Sequence, residues 1–142
     1  YLNINISDYY SIQSFIRNDI YSYLTIGSPP QKLVAKIKLI EDQLALKRLV
    51  DTFSNLADYK DVKSQMDLFT EDAEVISKTK DQTFKSKGKE EISKAFSGYL
   101  ALFDTVYHLN GQQTVNIKGD NATGISYCFV TLIGKGKKIR VE

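Results

Sequence analysis

The sequence has one cysteine, one histidine, one methionine and no tryptophan in its 142 residues. A single cysteine excludes a disulfide within the chain and a zinc site built on several cysteines. Cys128 lies in an apolar stretch, which favours a buried and unreactive thiol over a nucleophile. Because one histidine and scattered carboxylates do not make a convincing set of ligands, we expect neither a metal nor a cofactor.

Strong net charge and long apolar runs are also missing. Nineteen basic and 17 acidic side chains leave a formal net charge of +2. Nucleic-acid binding normally needs a clustered basic surface, so we expect no nucleic-acid partner. The one basic run, residues 135–140 (KGKKIR), is interpreted as a solvated loop or strand end.

No apolar run reaches the roughly 18 residues of a membrane-spanning helix, so we expect no membrane partner. A chain that can form no disulfide of its own suits a reducing compartment, and a cytoplasmic location is expected. The sequence begins at Tyr1 rather than at a methionine, so a targeting segment removed from its start stays an alternative.

Proline is scarce, and the two prolines, Pro29 and Pro30, directly follow Gly27 and Ser28. Such a cluster interrupts regular structure and predicts the main boundary of the chain. Residues 1–30 are assigned to an N-terminal extension of undefined structure, in which apolar residues at 12, 15, 16 and 20 have the spacing of a short helix. Residues 31–142 are long enough for one domain with a single core.

The period of the apolar residues predicts the elements of this domain. A helix is predicted over 31–58 with two successive apolar stripes, the first at Leu33, Ile37, Ile40 and Leu44. A short helix follows Asp61 as its N-cap, then strands at 73–78 and 82–86, and a helix from 89 to about 103. A period of two predicts strands at 105–117, kinked at Asn110–Gly111, and 122–133, joined by a turn at 118–121. The order predicts an α+β domain with helices on one face of a curved sheet.

Several segments together resemble a known family. Residues 49–58 end the long helix in an aspartate, residues 68–73 (LFTEDA) lead into the first strand, and Gly88 opens the next helix. Residues 106–110 (VYHLN) and 115–122 (VNIKGDNA) resemble the family's hairpin. Over about residues 40–142 the chain is similar to SnoaL-like domains of the nuclear transport factor 2-like superfamily. The resemblance implies a cone-shaped α+β barrel, with helices packed on a strongly curved mixed or antiparallel sheet that encloses a pocket.

Two features depart from the family pattern. Residues 1–30 match nothing in it, and the family usually adds two more strands that end in a Gly-x-Trp-x-Ile-like segment. The chain has no tryptophan and stops at Glu142, so the resemblance implies that the domain over 31–142 lacks its last strands. A missing strand leaves an edge that another element has to cover.

The resemblance also places Asp58 and His108 in the pocket as a catalytic acid–base pair. Desolvation in an apolar pocket raises the pKa of a carboxyl, whereas a carboxylate bonded to an imidazole fixes the ring's tautomer. Both arrangements suit proton transfer near neutral pH. Two plainer interpretations stay open: Asp58 binds backbone amides of the next helix, and His108 is an ordinary core or surface residue.

Four further residues are predicted to bind substrate. Phe53 stands where some dehydratase-type relatives carry a tyrosine, and its phenyl ring cannot donate a proton, which disfavours a tyrosine-assisted elimination. Asn110 shares a strand face with His108. Tyr99 and Tyr127 offer hydroxyl groups, although core packing is the commoner role of such tyrosines.

Proteins that share one fold carry out different functions, so the fold class alone does not identify the function of this chain. The first hypothesis is a protein that binds a small hydrophobic molecule in its cone and catalyses cofactor-free dehydration, isomerisation or cyclisation with Asp58 and His108. The alternatives are a non-catalytic ligand-binding module and a dimerisation module, because sheets of this superfamily commonly pair across their outer face. The expected partners are a small hydrophobic ligand and a second copy of the chain, bound through the sheet.

Overall fold

The computed structural model describes residues 2–5, 30–134 and 137–141, with side chains over 30–134. The elements are β1 (Leu2–Asn5), α1 (Gln31–Asp58), α2 (Val62–Gln65), a 3-10 turn (Met66–Leu68), β2 (Glu74–Lys78), β3 (Thr83–Lys87), α3 (Gly88–Leu100), β4 (Thr105–Lys118), β5 (Asn121–Gly134) and β6 (Lys137–Val141). Every described strand pair is antiparallel, and the α+β class is confirmed. The helix predicted around residues 12–20 lies outside the described residues.

The long helix α1 ends where it was predicted to end, through a Schellman-type cap. The amide of Lys60 donates to the carbonyl of Ala57 at 3.0 Å, and the amide of Asp61 donates to that of Leu56 at 2.9 Å. Lys60 has φ 58°, a left-handed conformation in which glycine is more usual. Asp61 then begins α2 as predicted, because its carboxylate accepts from the amide of Ser64 at 3.1 Å.

The predicted hairpin of β4 and β5 is confirmed and dominates the main sheet. Its register runs from Thr105 opposite Ile133 to Lys118 opposite Asn121, with a shift between Asn110 and Gln113. This β-bulge confirms the predicted kink. It adds one residue to β4, so even-numbered residues face α1 before the bulge and odd-numbered residues face it afterwards.

The other edge of β5 carries two short strands. β1 pairs with residues 121–124, and β6 pairs with residues 130–134. The basic run 135–140 was interpreted as a solvated loop or strand end, and its residues 137–140 belong to the strand β6 at this edge. β2 and β3 form a separate two-stranded sheet, and the main sheet, as far as the structure describes it, stays open and does not close into a barrel.

The main core lies between the helices and the inner face of the sheet. It consists of Ala57, Val62, Met66, Ile92, Leu100, Phe103, Val106 and Leu132. The helix predicted to reach about residue 103 ends at Leu100. By Asp104 the backbone is already hydrogen-bonded to the sheet, because the amide of Asp104 donates to the carbonyl of Ile133.

Only the second apolar stripe of α1 is buried. Leu46 packs on Ala122 at the turn end of the hairpin, and no described strand continues beyond that turn beneath the earlier part of α1. The first stripe, expected to face the core, is instead 43–56% exposed at Leu33, Ile37, Ile40 and Leu44.

Candidate functional site

A cavity of about 240 Å³ opens between the helices and the sheet. Its wall consists of Phe53, Ala57, Gln65, Phe96, Tyr99, Leu100, His108, Val130 and Leu132. Six of these residues are apolar, and the polar ones are Gln65, Tyr99 and His108. Since a cavity of roughly 150 Å³ accommodates benzene, this one is large enough for a fused bicyclic ring.

Aromatic rings form one side of the cavity. Phe53, Phe69 and Phe96 pack edge to face, with ring centroids 5.8–6.1 Å apart, and the first and last of them line the cavity. Tyr99, which is half exposed, packs edge to face on Phe103 at 5.2 Å. These contacts hold α1 and α3 at a fixed separation and give the cavity a firm apolar wall.

Asp58 and His108 meet at this wall. Nδ1 of His108 lies 2.6 Å from Oδ1 of Asp58, and the backbone amide of His108 donates to Oδ2 at 3.3 Å. The side chains are 15% exposed for His108 and 21% for Asp58. Because an ionised carboxylate only accepts hydrogen bonds, Nδ1 carries the proton, and Nε2 is the nitrogen left for an occupant of the cavity.

The plainer interpretation of Asp58 as a helix cap is wrong. Asp61 caps α2, and the backbone amide that Asp58 accepts from belongs to His108 on β4. His108 is accordingly part-buried with a charged partner, in the wall of a cavity.

Asn110, predicted to accompany His108, contacts α1 instead of the cavity. Its Oδ1 accepts from Ser54 Oγ at 3.0 Å, and its Nδ2 donates to Asp51 Oδ1 at 2.9 Å. The strand face was predicted correctly, but α1 covers this part of it. Asn110 is absent from the cavity wall and joins β4 to α1 between one and two helical turns before Asp58.

Tyr127 is also absent from the cavity wall, because it lies on the outer face of β5 and is 66% exposed. The structure therefore brings together four of the six predicted site residues: Asp58, His108, Phe53 and Tyr99. A substrate-binding role for Asn110 or Tyr127 stays a prediction that this geometry does not support.

Several wall residues were not singled out from the sequence. Val130 stands directly opposite His108 across the hairpin, so strand register could have found it. Phe96 lies on the apolar face of α3, where a core role is the ordinary interpretation. Gln65 has no such signal, since a glutamine on a short helix is normally solvated.

Gln65 is 1% exposed, and its side chain makes one hydrogen bond to the described residues. Its Nε2 donates to the carbonyl oxygen of Phe53 at 3.0 Å. Its Oε1 is buried and has no hydrogen-bond partner among the residues that the structure describes.

Cys128 lies next to the pair in the sheet but is not activated. Burial raises the pKa of its thiol, and the nearby Asp58 carboxylate raises it further. A protonated thiol is a poor nucleophile, which agrees with the interpretation from the sequence. Among the side chains of residues 30–134, no three His, Cys, Asp or Glu residues are arranged to hold a metal ion. No described helix has both the length and the apolar character to cross a bilayer.

Several proteins of known structure have a similar fold. No curated protein matches the sequence. The fold is similar to that of a putative scytalone dehydratase from Novosphingobium aromaticivorans, with 20% identity and a TM-score of 0.64 over 75% of this chain and 69% of that one. An NTF2-like protein with a cystatin-like fold from the same organism is 25% identical, with a TM-score of 0.63 over 80% and 73% of the two chains.

Aln2 from a Streptomyces species is a third similar structure, with 17% identity and a TM-score of 0.53 over 81% of this chain and 76% of that one. The likenesses at 17% and 20% identity show the fold alone. The family profile of the SnoaL-like domain matches residues 38–141, which is most of the chain. The chain therefore belongs to the SnoaL-like domain family of the nuclear transport factor 2-like superfamily.

Proposed function

We propose that the chain binds a small apolar molecule in its cavity and catalyses cofactor-free proton transfer on it, as a dehydration, isomerisation or cyclisation. The observation that carries this proposal is the 2.6 Å contact between His108 Nδ1 and Asp58 Oδ1 at the wall of an apolar cavity. A neutral imidazole with its Nδ1 proton held by a carboxylate presents the lone pair of Nε2 as a base. The carboxylate then stabilises the imidazolium that forms.

The chemistry balances without a cofactor. Nε2 of His108 takes a proton from a carbon next to a carbonyl group, and the C–H electron pair becomes part of an enolate. The imidazolium returns the proton to another carbon in an isomerisation, or to a hydroxyl that leaves as water in a dehydration. The apolar wall excludes water and strengthens the ion pair during this step.

Deuterium exchange into β-tetralone tests the proton transfer directly. This bicyclic ketone suits the size of the cavity and has acidic protons next to its carbonyl. We expect the protein to accelerate exchange in D2O, and Asp58→Asn and His108→Gln each to lower the rate by about 100-fold or more. Asp51→Asn makes the same chemical change on α1 outside the cavity wall and is expected to leave the rate unchanged.

The variants must keep their circular dichroism spectrum and thermal unfolding transition for the comparison to hold. Full exchange activity in either folded pair variant would exclude the pair as the catalytic group. Binding of β-tetralone without any accelerated exchange would instead favour the non-catalytic binding module.

A second proposal, a homodimer, is favoured by the outer face of the sheet. The face opposite α1 exposes large side chains on both long strands: Tyr107, Leu109, Ile125, Tyr127 and Ile133, which are 37–66% exposed. A contiguous apolar surface of this kind commonly marks an interaction site. A second copy of the chain would cover it with the same residues, as a two-fold interface requires.

A further inference from the structure

Gln65 and Tyr99 are the two polar residues of the cavity wall that the proton-transfer pair does not use, and of the two only Gln65 is buried. Gln65 is the last residue of α2, and its side chain joins this short helix to α1 through the bond to the carbonyl of Phe53. Its other polar atom, Oε1, is buried and finds no donor within the described part of the chain. Native proteins rarely leave a buried side-chain oxygen without a donor, so this atom calls for an explanation.

The orientation of this amide follows from its chemistry. The carbonyl oxygen of Phe53 only accepts hydrogen bonds, so the Gln65 atom 3.0 Å from it must be the NH2 group. The flipped amide would place two oxygens side by side and lose the hydrogen bond that the side chain makes to Phe53. The unpartnered atom is therefore the carbonyl oxygen, an acceptor.

The remaining polar groups of the wall do not satisfy this acceptor. Nδ1 of His108 is taken by Asp58, and no hydrogen bond joins the ring of His108 to Oε1 of Gln65. Tyr99 is half exposed and makes no hydrogen bond to Gln65. Among the described residues no donor therefore reaches Oε1, and an occupant of the cavity is the donor that we consider.

Building on the proposed function, we infer that Gln65 is a specificity-determining residue that selects occupants carrying a hydroxyl group. The hydroxyl donates to Oε1 while the rest of the molecule contacts the rings of Phe53 and Phe96. Since Gln65 is 1% exposed in this structure, this role requires its amide to turn toward the cavity when the hydroxyl binds. A buried acceptor left unpaired is unfavourable, and the hydroxyl recovers part of that loss.

Three bicyclic probes separate the hydroxyl from the rings: β-naphthol, its methyl ether and naphthalene. We expect the wild-type protein to bind β-naphthol about fivefold to tenfold more tightly than the methyl ether, the ratio that one neutral hydrogen bond supplies. Gln65→Met replaces the amide by an apolar chain of similar length. In this variant the preference should vanish, with the Kd of naphthalene changed by less than about twofold.

Gln43→Met is the matched control, because Gln43 is an exposed residue of α1 outside the wall. It is expected to keep the full preference for β-naphthol. A preference retained in Gln65→Met, or equal binding of β-naphthol and the ether by the wild type, overturns the role of Gln65. If none of the three probes binds at millimolar concentration, the result excludes the apolar binding site and with it the proposed role of Gln65.

A measurement on the wild type covers the case in which Gln65→Met does not fold. The side-chain NH2 cross-peaks of Gln65 in an ¹⁵N-labelled sample should shift on addition of β-naphthol and stay in place with the methyl ether. Equal shifts with both probes, or none with β-naphthol, contradict the assignment.

Discussion

Asp58 accepts two hydrogen bonds from a single residue, His108, which lies 50 positions further along the chain. One comes from the imidazole and the other from the backbone amide, so the carboxylate is fixed to the ring and to the strand at once. The end of α1 and the start of β4 are thereby held in one register. The orientation of the ring depends on the fold as a whole and not on the side chains alone.

This arrangement predicts strong non-additivity in the pair. In the proposed mechanism Asp58 acts on the substrate only through His108, so the variant Asp58→Asn/His108→Gln should lose about as much exchange activity as His108→Gln alone. The rate of deuterium exchange into β-tetralone in the three variants measures this. A double variant whose loss equals the product of the two single losses would show that the residues act independently.

Asp42 predicts a pH dependence of stability. Burial raises the pKa of its carboxyl, with a further contribution from the nearby Asp120, while Lys38 lies 3.0 Å from Oδ2. With a folded-state pKa above the unfolded value of about 3.8, its contribution to stability is fully present below that pH. It is lost as the pH rises through the raised pKa. The stability of the wild type relative to Asp42→Asn should therefore fall by about 1 kcal/mol between about pH 3.5 and 7.

Asp51, on the same helix, is expected to change the stability with pH in the opposite direction. Its pKa is lowered, first by the hydrogen bond from Lys47 and then by that from Asn110. Its contribution is present above about 3.8 and is lost as the pH falls through the lowered pKa. The carboxylate is 40% exposed, so the effect in Asp51→Asn is expected to be small. Urea unfolding of both variants across pH measures the two slopes, and slopes of equal sign would contradict the assignment.

Two glycines predict opposite effects of the same substitution. A Cβ at Gly134 would lie 2.5 Å from the carbonyl oxygen of Leu102 and 3.2 Å from Cα of Phe103, both backbone atoms that cannot turn aside. Gly134→Ala should lower the free energy of unfolding by about 1–3 kcal/mol. A Cβ at Gly98, inside α3, meets nothing within 4 Å, and Gly98→Ala should raise it by about 0.5–1 kcal/mol. Urea unfolding measures both, and a neutral Gly134→Ala would show that the loop after α3 moves freely.

The proposed homodimer predicts where charge is not tolerated. Tyr127→Lys and Leu109→Lys place an ammonium on the outer face of the sheet, and each should shift sedimentation velocity from dimer to monomer at micromolar concentration. Phe84→Lys on β3 also changes an exposed apolar residue, 57% exposed, but lies on the other sheet and should leave the dimer intact. A wild-type monomer at the same concentration would exclude the dimer.

Much of the fold follows from local patterns. The bounds of α1, the cap at Asp61 and the hairpin over β4 and β5 agree with predictions from period, capping and turn chemistry. Each depends on residues close together in sequence, which is where such patterns carry information. The resemblance to SnoaL-like domains likewise predicted the pair of Asp58 and His108, which the structure brings into contact.

Residues whose location was predicted from one element alone often lie elsewhere in the structure. Leu33 and Ile37 have the spacing of a core stripe, but no described strand lies beneath them, and spacing does not say where a sheet ends. Asn110 shares the face of His108 and still misses the cavity, because α1 crosses the strand at that point. The parity of β4 after residue 110 also depends on a bulge that a period of two does not encode.

The sequence by itself determined the α+β class, the family and most element bounds, because these follow from local chemistry and from motif order. Through the family resemblance it also suggested Asp58 and His108 as the pair proposed for proton transfer. Only the tertiary structure decided which polar atoms share the cavity. In the folded chain Asp58 contacts His108, and Asn110 and Tyr127 lie outside the cavity wall. The carbonyl oxygen of Gln65 has no donor among the described residues. The physical reason is that these contacts depend on how α1, α2 and the sheet pack together. That packing minimises the exposure of the whole core, and no single segment of the sequence predicts it.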